Sequence, residues 1–109
     1  METENRFIVE LDAGALIQDF NETACKMSGY SKDEVLGKNW FEVFIPNSNL
    51  MEVLDVFTNL LNGNDSYWEF ENEITCKDGS QLKMKWENTL LKNNIGNVYG
   101  VSSVGIRVN

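Results

Sequence analysis

Three tryptophans, two asparagines and a pair of serines carry most of the binding chemistry available to this 109-residue chain. Trp40, Trp68 and Trp86 are aromatic plates that can stack on a planar molecule, and the same rings can equally fill a core. Asn72 and Asn88 fall on the alternating faces that carry Trp68 and Trp86. A buried carboxamide left without a partner costs roughly 1–3 kcal/mol, so each must bond to protein, water or ligand. Two readings stand: they are ligand donors, or they are partners of one another and of the backbone. Ser102 and Ser103 are neighbours on one extended segment, so one hydroxyl enters an interior and the other leaves it. Ser102 is assigned the inward position. With Phe57, from the longest helical segment, the candidate site is Trp40, Phe57, Trp68, Asn72, Trp86, Asn88 and Ser102.

Catalytic chemistry is harder to assemble. Glu69, Glu71 and Glu73 alternate along one segment with no polar partner to tune them, which is the pattern of a solvated strand face. The sequence has no histidine. That excludes a Ser-His-Asp or Cys-His nucleophile, a histidine-ligated haem and a phosphoacceptor histidine within these residues. Cys25 and Cys76 lie far apart with no clustered ligands for zinc, and read as two buried, reduced thiols. No metal site and no enzyme active site are expected.

Composition narrows the partners. Seventeen acidic residues against nine basic ones give a net charge of −8, a potential that repels phosphate backbones and anionic lipid. No apolar run approaches the roughly 20 residues that cross a bilayer, and the opening METENR lacks the basic start and apolar centre of a secretory signal. A cytoplasmic setting, with no nucleic acid and no direct membrane contact, is expected.

The elements that must position the site follow from period and punctuation. RFIVELD (6–12) and ALIQDF (15–20) flank a DAG turn and read as a hairpin. Asn21 stands at a helix N-cap before ETACKMSG. SKDE (31–34) has the form of a capping box, with Gly37 closing that short helix. NWFEVFIP forms another turn ended by Pro46, and brings Trp40, Phe41, Phe44 and Ile45 inward. Such pieces are too short to stand alone, since isolated helices under about 12–15 residues are marginal in water. The substantial helix spans 47–63, capped by Asn47 or Ser48 and ended by Gly63, with Leu50, Val53, Leu54, Phe57, Leu60 and Leu61 as its apolar stripe. The period then changes to two. Segments 67–76, 81–90 and 98–108 form a three-stranded antiparallel meander around the tight turn KDGS. Glutamates of its first strand lie beside lysines of its second. The order gives an α+β domain with one five-stranded sheet, covered on one face by helices, and a cavity belongs between the layers. Tyr99, Leu91 and Val101, with Ile8, are expected to form an apolar patch on the outer sheet face.

These residues resemble a PAS domain, a sensory module of bacterial and archaeal signalling proteins. The first half matches through Asn21, Ala24, Gly29, Tyr30, Glu34, Leu36 and Gly37, and KDGSQLKMKWENTLL…GNVYGVSSVGI resembles the C-terminal PAC sheet. The resemblance covers essentially the whole chain as one domain: a lead-in over 1–5, hairpin and helices over 6–62, and the meander over 67–108. It implies a five-stranded antiparallel sheet in the order 2-1-5-4-3, with short helices and one longer helix on one face. It also implies a non-catalytic sensor that binds a small ligand, dimerises, or both. The homodimer would form through the outer sheet face or the N-terminal segment, and the effector outside these residues would be a histidine kinase first, a diguanylate cyclase next. A ligand-free scaffold for protein–protein contact is the alternative. Arg107, Val108 and Asn109 stand where the family usually has Asp-Ile-Thr, so the ordinary link to a downstream signalling helix is in question. Trp40 stands where photoactive flavin members have their adduct-forming cysteine, which argues against covalent flavin chemistry. Non-covalent flavin, a carboxylate metabolite, a fatty acid or no ligand all stay open.

Overall fold

The computed structural model describes residues 6–63 and 68–108; the expected lead-in, Tyr67 and Asn109 lie outside the described residues. Five strands and four α-helices run in the order β1 (Phe7–Asp12), β2 (Ile17–Phe20), α1 (Glu22–Ser28), α2 (Lys32–Val35), α3 (Trp40–Phe44), α4 (Leu50–Leu61), β3 (Glu69–Thr75), β4 (Gln81–Lys92) and β5 (Val98–Arg107). All strand pairs are antiparallel and the sheet order is β2-β1-β5-β4-β3, as the resemblance implies. No helix among the described residues is long and apolar enough to cross a membrane.

Alternation builds the sheet. Phe7, Val9 and Leu11 on β1 are buried, whereas Ile8, Glu10 and Asp12 are only half-buried. The β1–β2 turn is held by Asp12, whose carboxylate accepts from the amides of Gly14 and Leu16, both at 2.9 Å. That turn extends further than the sequence indicates, so β2 begins at Ile17 rather than residue 15. Ala15 and Leu16 instead serve the chain that follows α2: Trp40 N–H donates to the Ala15 carbonyl at 2.9 Å, and Ile17 N–H donates to Lys38 O at 2.9 Å. The outer edge of β2 is therefore covered by residues 37–40, which removes an exposed row of strand hydrogen-bonding groups.

The short helices are fixed by local polar contacts. Asn21 caps α1 by accepting from Ala24 N–H at 2.9 Å. It also accepts from Ile8 N–H at 3.0 Å and donates to the Arg6 carbonyl at 2.9 Å, so one side chain ties α1 to β1. The capping box of α2 is complete, with Ser31 and Glu34 exchanging bonds. Asn39, unremarked in the sequence, caps α3 through Phe41 and Glu42. The longer helix starts later than expected: Asn47–Asn49 form a 3-10 turn, and neither Asn47 nor Ser48 caps it with a side chain.

Two faces also differ from expectation. On α4 the buried residues are Val53, Val56 and Leu60, while Leu54 is 38% exposed. The sheet therefore meets a stripe turned toward Val56 and away from Leu54. On β5, Val101 pairs with Leu11 and Leu90 and is 1% exposed, so it faces the core rather than the outer patch. Leu91 pairs with Gly100, and the β4–β5 register shifts between Leu91 and Lys92. Val101 therefore lies on the opposite face from Leu91, and the register shift puts Tyr99 out of step with the regular alternation. Cys76 is buried and Cys25 half-buried, both as free thiols.

Phe7 centres the core. Its ring meets those of Phe20, Trp40, Phe44 and Trp86 edge-on, with centroids 5.2–6.2 Å apart, a favoured geometry for aromatic pairs.

Candidate functional site

Between the inner sheet face, α3 and α4 lies a cavity of about 50 Å³. Five of the seven expected residues line it: Trp40, Phe57, Asn72, Trp86 and Asn88. Two do not. Trp68 is 55% exposed and precedes the first residue of β3, so the two-residue alternation that would turn it inward does not reach it; its carbonyl accepts from Asn88 N–H at 2.7 Å. Ser102 pairs with Glu10 and Thr89 on the outer face, whereas Ser103 pairs with Val9 and Asn88 and lines the cavity. The inward member of the serine pair is therefore Ser103, not the expected Ser102.

The walls come from separate layers. Val53, Val56, Phe57 and Leu60 descend from α4, spaced i, i+3, i+4 and i+7 so that all four point to one side. Trp40 and Phe41 come from α3, placed by the Asn39 cap and by the Ala15 carbonyl. Trp86 rises from β4 and meets Trp40 edge-on, with centroids 5.7 Å apart. Its ring lies over Gly105 on the neighbouring strand, where a Cβ would fall 2.5 Å from a ring carbon. Only a residue without a side chain leaves that ring its place. Among residues missed in the sequence, Phe70 was legible from its alternation with Asn72, and Val56 from its i+3 spacing to Val53.

The polar part of the lining is neutral. Ser103 donates its hydroxyl hydrogen to Asn88 Oδ1 at 2.7 Å. Asn72, only 8% exposed, lines the cavity and donates from Nδ2 to the Glu73 carbonyl at 3.2 Å, with no donor to its carboxamide oxygen among the described residues. Every lining residue is uncharged. Charged pairs lie elsewhere: Lys77 Nζ donates to Glu34 Oε2 at 2.6 Å, joining the β3–β4 turn to α2, and Lys32 meets Asp19 at 2.9 Å. The Lys77 bond, then the Ser31 amide, lowers the Glu34 pKa from its ordinary value. Asp19 is lowered in the same way, first by Lys32 and then by the Phe20 amide. Among the described residues, no group of three or more His, Cys, Asp and Glu is arranged to hold a metal ion.

A water needs roughly 10–15 Å³ of such space, so this cavity admits a few waters or a small organic fragment.

The family model for the PAS fold matches residues 1–108. The chain belongs to that family. PAS domains are generally sensory and non-catalytic. Solved PAS structures superimpose over nearly the whole chain. The PAS domain of the Cronobacter turicensis quorum-sensing receptor RpfR, in complex with BDSF, is 22% identical with a TM-score of 0.78, covering 96% of this chain and 95% of that one. The Drosophila melanogaster Cycle PAS-B domain with bound ethylene glycol is 16% identical with a TM-score of 0.79, covering 94% and 99%. A light-oxygen-voltage domain studied with a flavin analogue is 23% identical with a TM-score of 0.77, covering 99% and 81%. At these identities the likeness is one of fold. No curated protein sequence matches the chain significantly.

Proposed function

We propose that this PAS domain is the input module of a cytoplasmic signalling protein. It binds a small molecule between α4 and the sheet, and occupancy biases the conformation seen by an effector outside these residues. The observation that carries this reading is the cavity with a polar floor under an amphipathic helix. Asn72 and the Asn88–Ser103 pair sit at the base of an otherwise apolar space, the arrangement of a small-molecule site. Related folds holding BDSF or ethylene glycol support it. A ligand changes the effector only through its differential affinity for two states. Here these are α4 closed on the sheet and α4 displaced. The effector is a histidine kinase in the first instance and a diguanylate cyclase in the second.

The partner in this reading is a second copy of the chain on the outer sheet face. Ile8, Val104 and Ile106 on adjacent strands form an apolar strip there, and Ile106 is 43% exposed. The depression beside it has Arg6 and Lys85 with Glu87 on its rim. A rim bearing both signs of charge is complementary to itself under two-fold symmetry. The ligand-free scaffold is the second reading, favoured by the ring cluster of Phe7, Trp40, Phe44 and Trp86 packed beside the cavity.

Native mass spectrometry and an absorption spectrum of freshly purified protein, followed by amide exchange before and after ligand stripping, test the proposal. A retained small molecule whose removal speeds exchange in α4 supports sensing. Bare-chain mass, with α4 exchange unmoved by a panel of small alcohols and amides, contradicts it and favours the scaffold.

A further inference from the structure

We infer that the cavity selects a small, uncharged, hydrogen-bonding ligand and discriminates against the same molecule carrying a carboxylate. This rests on the ligand-binding reading above and narrows the ligand's chemical class.

The lining's side-chain polar groups are two carboxamides, one hydroxyl and the indole N–H groups of Trp40 and Trp86, all neutral, and it contains no Lys, Arg, Asp or Glu. An ion that leaves water for such a space loses its hydration and gains no countercharge, the costliest form of polar burial. The chain's cations lie outside the lining: Lys38, Lys83, Lys92 and Arg107 are exposed. Lys26, Lys32 and Lys77 face Glu22, Asp19 and Glu34 on the exterior. Arg6 and Lys85 border the outer-face depression. The net charge of −8 adds a negative potential that disfavours an anion further.

A pure hydrocarbon is a poor match for the opposite reason. It leaves the Asn72 carboxamide oxygen without a donor at a residue 8% exposed, and displaces any water that would satisfy it. The Asn88–Ser103 pair at 2.7 Å already satisfies part of the floor, and the Asn72 carboxamide oxygen is the acceptor offered to a ligand there. An amide or alcohol of a few heavy atoms meets both conditions: it is neutral, it donates to Asn72, and its short apolar end packs against Trp40, Trp86 and the α4 valines. Trp40 and Trp86, in edge-to-face contact at 5.7 Å, both line the cavity and bound the room for that apolar end.

The test uses a matched pair of probes, propionamide and propionate, titrated at neutral pH into the isotope-labelled domain. Shifts are followed at the Asn72 and Asn88 side-chain amides and the Trp40 and Trp86 indoles. The expected result is saturation by propionamide at a concentration at least about tenfold lower than propionate requires, with Asn72→Leu weakening the amide several-fold. Equal affinity for the two probes overturns this inference while leaving the cavity a binding site. Perturbation of these resonances by neither probe overturns both readings. A folded Asn72→Leu variant with unchanged propionamide affinity removes Asn72 from the recognition.

Discussion

Gly105 offers a sharp test of how the cavity wall is built, because packing and propensity predict opposite signs for Gly105→Ala. The residue lies within β5, opposite Phe7 and Trp86, with no left-handed backbone to protect. By propensity, alanine within a strand is better than glycine by roughly 0.5–1 kcal/mol. Packing opposes this gain and outweighs it. The new Cβ would stand 2.5, 2.6 and 3.0 Å from three carbons of the Trp86 ring. That ring is 4% exposed and pinned by Phe7 at 5.2 Å and Trp40 at 5.7 Å, so it cannot simply swing away. Overpacking costs typically 1–3 kcal/mol, and three contacts this short belong to its upper part, about 2–3 kcal/mol, leaving a net loss of about 1–2.5 kcal/mol. At about 4–8 °C per kcal/mol for a domain of this size, the midpoint falls by about 4–20 °C. Urea and thermal unfolding followed by circular dichroism measure it in four proteins: wild type, Gly105→Ala, Trp86→Leu and the double variant. With the ring gone, the alanine becomes stabilising by roughly 0.5–1 kcal/mol, so the coupling equals the overpacking cost of about 2–3 kcal/mol. Gly100→Ala is the control. Its Cβ would collide with the backbone carbonyl of Leu11, so Trp86→Leu does not rescue it. A neutral or stabilising Gly105→Ala in the wild type, or an equal loss in both backgrounds, refutes the packing argument.

Three further outcomes are expected. Asn21→Ala removes the α1 cap and the bonds to Ile8 and Arg6, and costs about 2–3 kcal/mol in urea unfolding, whereas Asn21→Ser restores only the cap share of about 1 kcal/mol. Ser103→Ala strips Asn88 Oδ1 of its 2.7 Å donor and costs about 1–2 kcal/mol, while Ser102→Ala on the outer face stays within about 0.5 kcal/mol; the reverse ranking contradicts the assignment of faces. The Glu34 and Asp19 carboxyls bind protons less readily folded than unfolded. Their contribution is therefore complete above the ordinary carboxylate range and is lost as pH falls through their lowered values. Glu34→Gln flattens that acid limb in stability measured against pH, and an unchanged limb shows that the Lys77 tie contributes nothing.

How much of this was legible in the sequence depends on the range of the forces involved. Asn21 and the Ser31–Glu34 box are local hydrogen-bond devices, and both appear where the residues indicate. The meander followed from a two-residue period interrupted by a tight turn, and Asn72, Trp86 and Asn88 were found by the same alternation. The errors of facing on β5 and α4 share one origin: a face is defined only relative to a partner. Ser102 and Ser103 differ by one residue, and only the register against Asn88 and Val9 tells which hydroxyl is inside. Trp68 lies beyond the end of the alternation. On α4, Leu54 and Val56 both extend a plausible stripe, and the sheet beneath the helix decides that Val56 is buried. Gly105 gave no signal, since its role lies in what its missing side chain leaves to Trp86.

The most direct test is a high-resolution crystal structure of the domain, inspected between α4 and β3–β5. The account predicts at least one ordered water or small molecule there, hydrogen-bonded to the Asn72 carboxamide, with Val53, Val56 and Leu60 closing over it. An α4 packed flush on the strands with no density between, or Asn72 turned out to solvent, would contradict it.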